Sequence, residues 1–302
     1  MQSSFDWNDL KFFLELHRSK RLIVAAKSLK VNHTTVARRI RGLEQSIGAQ
    51  LFSKDDSGYQ LTAAGESLLS IAAEIERATQ QACENIGGEA GRLSGRVRVG
   101  APDGIGTVFI APMLARFQEN HVDLQVELTV MPRYFNLSQQ EVHLSLSLAL
   151  PQSGRLLARK MTDYHLLFYA APSYLERYGA PKGLNDLRRH RIIGYIDEML
   201  YAPELRYTKD IGSDLPVVFS STSVIAQREA ILSGTGIGIL PRFLAHGNPK
   251  LLPILSDHCL LTRTIWLLSH QSTEALARVR VVSQFLQQEA RNARDLFLVP
   301  QS

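Results

Sequence analysis

Eight side chains in the first fifth of the chain are of types that grip nucleic acid. Asn32, His33, Thr34 and Thr35 open a helical stretch, Arg38, Arg39 and Arg41 follow within two turns, and Lys54 comes later at a hairpin tip. Val36, Ile40, Leu43 and Ile47 recur at i, i+4, i+7 and i+11, which predicts the buried stripe of a helix. At 100° per residue, Thr34, Arg38 and Arg41 fall on the opposite side, with His33 and Thr35 flanking that face. A cationic face led by short donors suits the DNA major groove, where one arginine can make two bonds to guanine. An ordinary surface helix mixes its charges, whereas residues 16–43 hold Arg18, Lys20, Arg21, Lys27, Lys30, Arg38, Arg39 and Arg41 with no Asp or Glu.

A second group of residues could hold a small molecule. Two loops precede helical stretches: residues 101–107, with Asp103, Gly104 and Ile105, and residues 220–223, with Ser221 and Thr222. Helix N-termini and hydroxyls favour an anion such as a small carboxylate. Asp103 opposes that preference, and Arg133 could restore it as a two-pronged clamp, a surface-loop arginine being the competing account. Tyr195 stands at a strand end, where it either lines a cleft or fills the core; Ser221 and Thr222 either cap a helix or touch a ligand. His143 reads as a structural variation, with pH sensing as the other role open to it.

Catalysis finds little support. The nine histidines include no His-Glu-x-x-His, and neither Gly-x-Ser-x-Gly nor Gly-x-x-x-x-Gly-Lys occurs. Gly234-Thr235-Gly236-Ile237-Gly238 lacks the third spacing of a dinucleotide fingerprint and follows a helix instead of opening one. Cys83 and Cys259 are too few and too far apart for a zinc site or a disulfide framework. No enzyme activity, metal or cofactor is expected.

The elements that must position these groups can be read along the chain. Residues 7–17 and 22–29 read as two helices, the first with Leu10, Phe13, Leu14 and Leu16 as its apolar face, the second with small Ala25 and Ala26 permitting close approach. Lys30-Val31-Asn32 forms the turn, Asn32 is a suitable N-cap for the third helix, and Gly48 stops it. Leu51-Phe52 and Tyr59-Gln60-Leu61 flank a polar tip and predict a hairpin, making the unit a winged helix. Thr62 can then cap an Ala-rich helix whose Leu68, Ile71, Ile75, Ala78 and Ala82 repeat in steps of three and four, a dimerisation seam. Packing onto its own domain is the competing account. Beyond a glycine-rich linker at 87–91, strands at 97–101, 124–130, 166–170, 192–195, 217–220, 237–240 and 264–268 alternate with helices at 106–120, 224–233 and 274–293. That alternation predicts an α/β fold with mainly parallel sheets, whose ligands bind at the carboxyl ends of strands.

Length and composition set the outer bounds. At roughly 150 residues per domain, 302 residues make about two domains, and 45 % hydrophobic with 21 % charged residues is an ordinary globular balance. The net charge of +5 misleads, because residues 1–95 carry 12 basic and 11 acidic residues. The acid-free window carries the signal, and net charge does not. The first seven residues show no signal-peptide pattern, and no apolar run reaches the ~18 residues of a membrane span. A cytoplasmic protein with reduced thiols is expected.

Taken in order, Ala25-Ala26, Val31-Asn32-His33-Thr34-Thr35-Val36-Ala37-Arg38-Arg39-Ile40, Leu43-Glu44, Gly48-Ala49-Gln50-Leu51-Phe52 and Leu61-Thr62-Ala63-Ala64-Gly65 resemble the LysR-type transcriptional regulators. The resemblance continues through Arg159-Lys160, Tyr169-Ala170-Ala171-Pro172-Ser173-Tyr174-Leu175, residues 190–195 and residues 234–241. It implies base contacts from His33, Thr34 and Arg38, with Asn32, Thr35, Arg39 and Arg41 near phosphates. It also implies a winged helix-turn-helix at 1–61, a linker helix and hinge at 62–93, and a two-lobed effector domain like periplasmic binding proteins at 94–302. Lobe I would comprise about 94–162 and 268–302, and lobe II about 163–267. The partners it implies are double-stranded promoter DNA, a small-molecule effector and further copies in a homodimer or homotetramer, with RNA polymerase a candidate contact. Three departures stand out: Arg21-Leu22-Ile23 where Ser-x-Thr is usual, Ala37 where Ser is common, and Asp55 and Asp56 in the wing, which leave Lys54 as its useful charge. The expected function is a promoter-binding regulator modulated by a small organic anion. The alternative is a small-ligand-binding protein whose N-terminal helices serve protein contacts only.

Overall fold

The computed structural model describes residues 6–56, 58–86, 93–131, 137, 141–151, 156–207, 215–256 and 261–300. They fall into two compact units, residues 6–86 and the described residues from 93 onward.

In the first unit, helices α1 (Asp9–Ser19), α2 (Leu22–Leu29) and α3 (His33–Ile47) are followed by the hairpin β1 (Phe52–Asp55) and β2 (Gly58–Leu61), then by α4 (Ala63–Ile86). The core gathers Phe13 and Leu16 of α1, Ala25 of α2, Val36 and Leu43 of α3, Leu51, and Leu69 and Ala72 of α4. Ile47 departs from the expected stripe: it is 38 % exposed, because α3 ends there and Gly48 turns the chain away at φ 79°. Trp7 also lies outside the helix it was expected to begin, and α1 starts at Asp9. Lys20 and Lys30 close α1 and α2 in the left-handed region, both at φ 55°. Lys20 also receives the wing, since the Tyr59 N–H donates to its carbonyl at 2.9 Å. A Cβ on Gly58 would collide with that oxygen, so only glycine fits. Thr62 caps α4 as expected, its Oγ1 accepting from the Gly65 N–H at 3.1 Å.

The second unit is built on a mixed sheet. Its strands are β3 (Gly95–Ala101), β4 (Leu124–Val130), β5 (Leu144–Ser147), β6 (Leu156–Ala170), β7 (Ile192–Gly194), β8 (Val217–Ser220), β9 (Ile237–Pro241), β10 (Leu252–Ile254) and β11 (Leu261–His270). They run in the order β4-β3-β5-β11-β6-β9-β7-β8, with β10 beside β6. Two parallel triads, β4-β3-β5 and β9-β7-β8, flank a long antiparallel ribbon of β6 and β11. The expectation of mainly parallel pairing therefore needs correcting, because that ribbon pairs antiparallel with both triads. Its register shifts between Ile265 and Trp266, where Met161 is skipped, a bulge at the point where β11 begins to pair with β5.

The helices covering the sheet are α5 (Asp103–Ile105), α6 (Ala111–Glu119), α7 (Pro172–Tyr178), α8 (Val224–Leu232), α9 (Arg242–Ala245), α10 (Gln271–Glu274), α11 (Ala277–Asn292) and α12 (Arg294–Phe297). A π-helical turn, Gly106–Ile110, joins α5 to α6. The last helix, expected to be continuous over 274–293, breaks between α10 and α11. Strands β5 and β10 and the first two-thirds of β6 escaped the sequence reading. The sequence of β5 alternates Leu-Ser-Leu-Ser as a half-exposed strand would, but Ser145 and Ser147 are buried along with their leucine neighbours, so both faces of the strand are covered.

Candidate DNA-reading face and effector cleft

Helix α3 presents its polar side outward. His33, Thr34, Arg38 and Arg41 are exposed, while Thr35 and Arg39 are half-buried. Asn32 takes the extended backbone of an N-cap (φ −79°, ψ 150°), yet its side chain makes no capping bond, contrary to expectation. The Asn32 carbonyl accepts from Thr35 and Val36, and the N–H groups at the very start of the helix receive nothing from the Asn32 side chain.

Arg38 and Arg39 are adjacent in sequence and differ completely in their surroundings. Arg38 is exposed. Arg39 donates from Nη1 to Asp6 at 3.0 Å and to Asp9 at 3.1 Å, and its guanidinium lies 5.7 Å from the centre of the Phe12 ring. Burial raises the Asp9 carboxyl above its usual range, against the pull of Arg39. The structure thus gives Arg39 a place tying α3 to α1, where the resemblance implied a phosphate neighbour. Lys54 is exposed on β1 opposite Tyr59, beside exposed Asp55 and Asp56.

The seam on α4 splits. Leu68 and Ile75 are half-buried against the core of their own unit, whereas Ile71 (55 % exposed) and Ala78 face outward. Ala82 lies on the helix, with its side chain outside the described residues. The stripe facing inward is Leu69 and Ala72, and Glu76 accepts both arms of Arg18 from α1. These three were missed because a seven-residue repeat and a 3.6-residue face share so many positions.

In the second unit, β3 delivers Pro102 and the N-terminus of α5, while β8 delivers Ser221–Ser223 and the N-terminus of α8. The two helix starts meet. A Cβ on Gly104 would stand 2.7 Å from Val224 Cγ1, so α8 occupies the space a side chain would take. Ser223, the N-cap of α8, accepts from the Ala226 N–H at 3.1 Å and donates its hydroxyl proton to Asp103 Oδ2 at 2.5 Å. The Ile225 N–H lies 3.4 Å from the same carboxylate oxygen. Asp103 therefore bridges the two helix starts.

A small cavity opens beside this bridge, leaving about 30 Å³ to a water-sized body. Asp103, Gly104, Ile105, Tyr195 and Thr222, all expected from sequence, line it. Ser221 does not: its hydroxyl accepts from the Ser223 N–H at 3.1 Å, the capping role set against ligand contact above. Arg133 lies outside the described residues. Sequence reasoning missed Tyr164, Tyr201 and Tyr207 in the wall, and Ser223 as the bridging partner. Position gave Ser223 away, since a serine directly before an apolar helix is a cap signal. The tyrosines come from β6 and from residues 201–207, which no local pattern joins. Burial drives the hydroxyls of Tyr164, Tyr195 and Tyr207 above the usual phenol range, with Tyr201, Tyr164 and then Asp103 adding to the rise at Tyr195. All three stay neutral at physiological pH. His143, by contrast, has a structural post: its Nδ1 accepts from the Arg98 N–H at 2.8 Å.

Comparison with known proteins gives this arrangement its context. Residues 7–66 match the model of the bacterial regulatory helix-turn-helix protein, lysR family, and residues 90–291 match the LysR substrate binding domain. The HTH-type transcriptional activator TtdR of Escherichia coli is 26 % identical over 92 % of this chain and 91 % of its own length. An HTH-type transcriptional regulator of Xanthomonas campestris is 29 % identical over 78 % of this chain and 70 % of its own. The fold matches CrgA, a LysR-type transcriptional regulator from Neisseria meningitidis, at TM-score 0.59 and 23 % identity, covering 94 % of this chain and 98 % of that one. It also matches a full-length OxyR variant from Pseudomonas aeruginosa, at TM-score 0.75 and 17 % identity over 99 % of both chains. With both family models matched in order and together spanning most of its length, the chain belongs to the LysR-type transcriptional regulators, with a helix-turn-helix DNA-binding domain and an effector-binding domain.

Proposed function

We propose that the chain reads promoter DNA through α3 and that a small molecule in the cleft between the α5 and α8 starts changes the geometry of that binding. The observation that carries the reading is the outward face of α3, where His33, Thr34, Arg38 and Arg41 are exposed and no acidic residue interrupts them. His33, Thr34 and Arg38 contact bases; Asn32, Thr35 and Arg41, with Lys54 from the wing, lie along phosphates. Two copies pair through the Ile71–Ala78 side of α4, which places two recognition helices in successive major grooves. The bulge at Met161 in the β6–β11 ribbon is the hinge on which ligand binding changes the angle between the two triads. The expected small organic anion would have to displace Asp103 from the α8 start.

The test uses the full chain and a genomic site found by mapping bound sites in cells. Binding should weaken steeply with salt, and the mapped site should exceed a scrambled duplex by about 10³-fold. Equal affinity for both duplexes would leave only non-specific attraction and overturn the reading.

A further inference from the structure

The wall of the cleft beside Asp103 is chemically one-sided. It carries one carboxylate, four phenols and the Thr222 hydroxyl, and among its described lining residues there is no Lys, Arg or His. Arg263, whose charge reaches Tyr164, does not line it. A second carboxylate stands close by. Glu204 sits on the turn that carries Tyr201, Leu205 and Tyr207 into the wall, and, like Arg263, its charge reaches Tyr164 without its lining the cavity. Its Oε2 is buried with no hydrogen-bond partner among the described residues.

The α8 start, where an exogenous anion would bind, is already filled. Asp103 takes the Ser223 hydroxyl proton and approaches the Ile225 N–H, as a ligand carboxylate would. Among the described residues both of these bonds fall on Oδ2, which leaves Oδ1 to accept. An anion entering here meets a fixed negative charge and, among the described lining residues, no cation. An ammonium group meets a carboxylate, phenol oxygens that accept hydrogen bonds, and aromatic rings that attract cations.

The shape narrows the class further. Tyr195 and Tyr207, rings 5.9 Å apart and edge to face, form a shared wall with a second cavity lined by Phe168, Ile192, Leu215 and Ile239. That neighbour is only about 20 Å³ and is also lined by Asp197 and Gln227; the apolar surface for a short tail lies in the first cavity itself, where Ile105, Leu148, Val224, Phe243 and Ile265 share the lining with Asp103.

We propose that the cleft selects a small primary amine with a short apolar tail and rejects carboxylates, with Asp103 as the residue that determines this choice. The inference rests on the reading of the cleft as the effector site. Its experiment titrates the full-length protein with n-butylammonium chloride and, at matched ionic strength, with sodium butyrate and n-butanol, following heat of binding and thermal unfolding. Butylammonium should bind saturably and raise the unfolding temperature, and butyrate should bind at least tenfold more weakly. Asp103→Asn should abolish the preference for the amine. Should that variant fail to fold, Ser223→Ala, which frees the carboxylate of its partner, should bind butylammonium as tightly as the wild type or more so. Butyrate binding as tightly as butylammonium, an amine affinity unmoved by Asp103→Asn, or no binding of butylammonium to the wild-type protein would each overturn the proposal. If butylammonium binds through Asp103 but leaves the footprint on the mapped DNA site unchanged, the amine inference stands and the cleft's role as effector site falls.

Discussion

Two helices of this chain begin at places where an anion from outside would be expected, and they begin differently. At α3 the N-cap residue Asn32 makes no side-chain bond, and His33 and Thr34 are exposed. At α8 the N-cap Ser223 is bonded to the backbone behind it and to Asp103 in front. Both starts carry the partial positive charge of unsatisfied N–H groups. One is open to a phosphate; the other is closed by a carboxylate of the chain itself. A helix start announces attraction to negative charge, and its surroundings decide whether that charge comes from a ligand or from the protein.

Giving α3 what α8 already has should break the contrast most severely. Thr34→Asp places a carboxylate at the open start, where it should stabilise the helix by ~0.5 kcal/mol. The same charge should weaken binding to the mapped site by roughly a hundredfold through phosphate repulsion and loss of a base-edge donor. Unfolding and gel-shift measurements on one sample would read both effects, and unimpaired binding would remove α3 from the interface.

Closing the α8 side more tightly should cost stability. Gly104→Ala puts a Cβ 2.7 Å from Val224 Cγ1 and should destabilise the second unit by about 1–3 kcal/mol, with much of the loss restored by adding Val224→Ala. Ser223→Ala removes the cap of α8 and the partner of Asp103 together, and stability in denaturant unfolding should fall by about 1 kcal/mol.

The smallest effect concerns acid. Burial in the first unit holds the His17 imidazole below its usual range, outweighing the opposite pull of Glu66. The folded state then binds fewer protons than the unfolded chain, so stability rises with pH up to the ordinary histidine value near 6.5 and is flat above it. Thermal unfolding between pH 5 and 7 should show that slope, and His17→Gln should flatten it.

How much could be read in advance differed between the two regions for a physical reason. The reading face lies on one helix, so its periodicity exposed Thr34, Arg38 and Arg41 directly, and the bounds read for α2, β4 and β8 match the structure to the residue. The cleft joins β3, β6, β8 and residues 201–207, and no spacing links Asp103 to Tyr164, Tyr207 or Ser223. Arg39 shows the limit within a single helix. The family resemblance implied a place near phosphates for it, whereas Asp6 and Asp9, about thirty positions earlier, hold its guanidinium against α1. Ser145 and Ser147 show a different limit for strands: the Leu-Ser alternation of β5 reads as one wet face, yet both serines are buried in the sheet interior.

The most direct test sets Arg38→Ala beside Arg39→Ala on the mapped site and on a scrambled duplex, across a range of salt. Arg38→Ala should cost about 1–3 kcal/mol of discrimination between the two duplexes, because a base contact is lost. Arg39→Ala should leave both discrimination and salt slope unchanged, because its charge is spent on α1. Undiminished discrimination in Arg38→Ala, or a slope reduced by about one in Arg39→Ala, would contradict the division between reading face and fold.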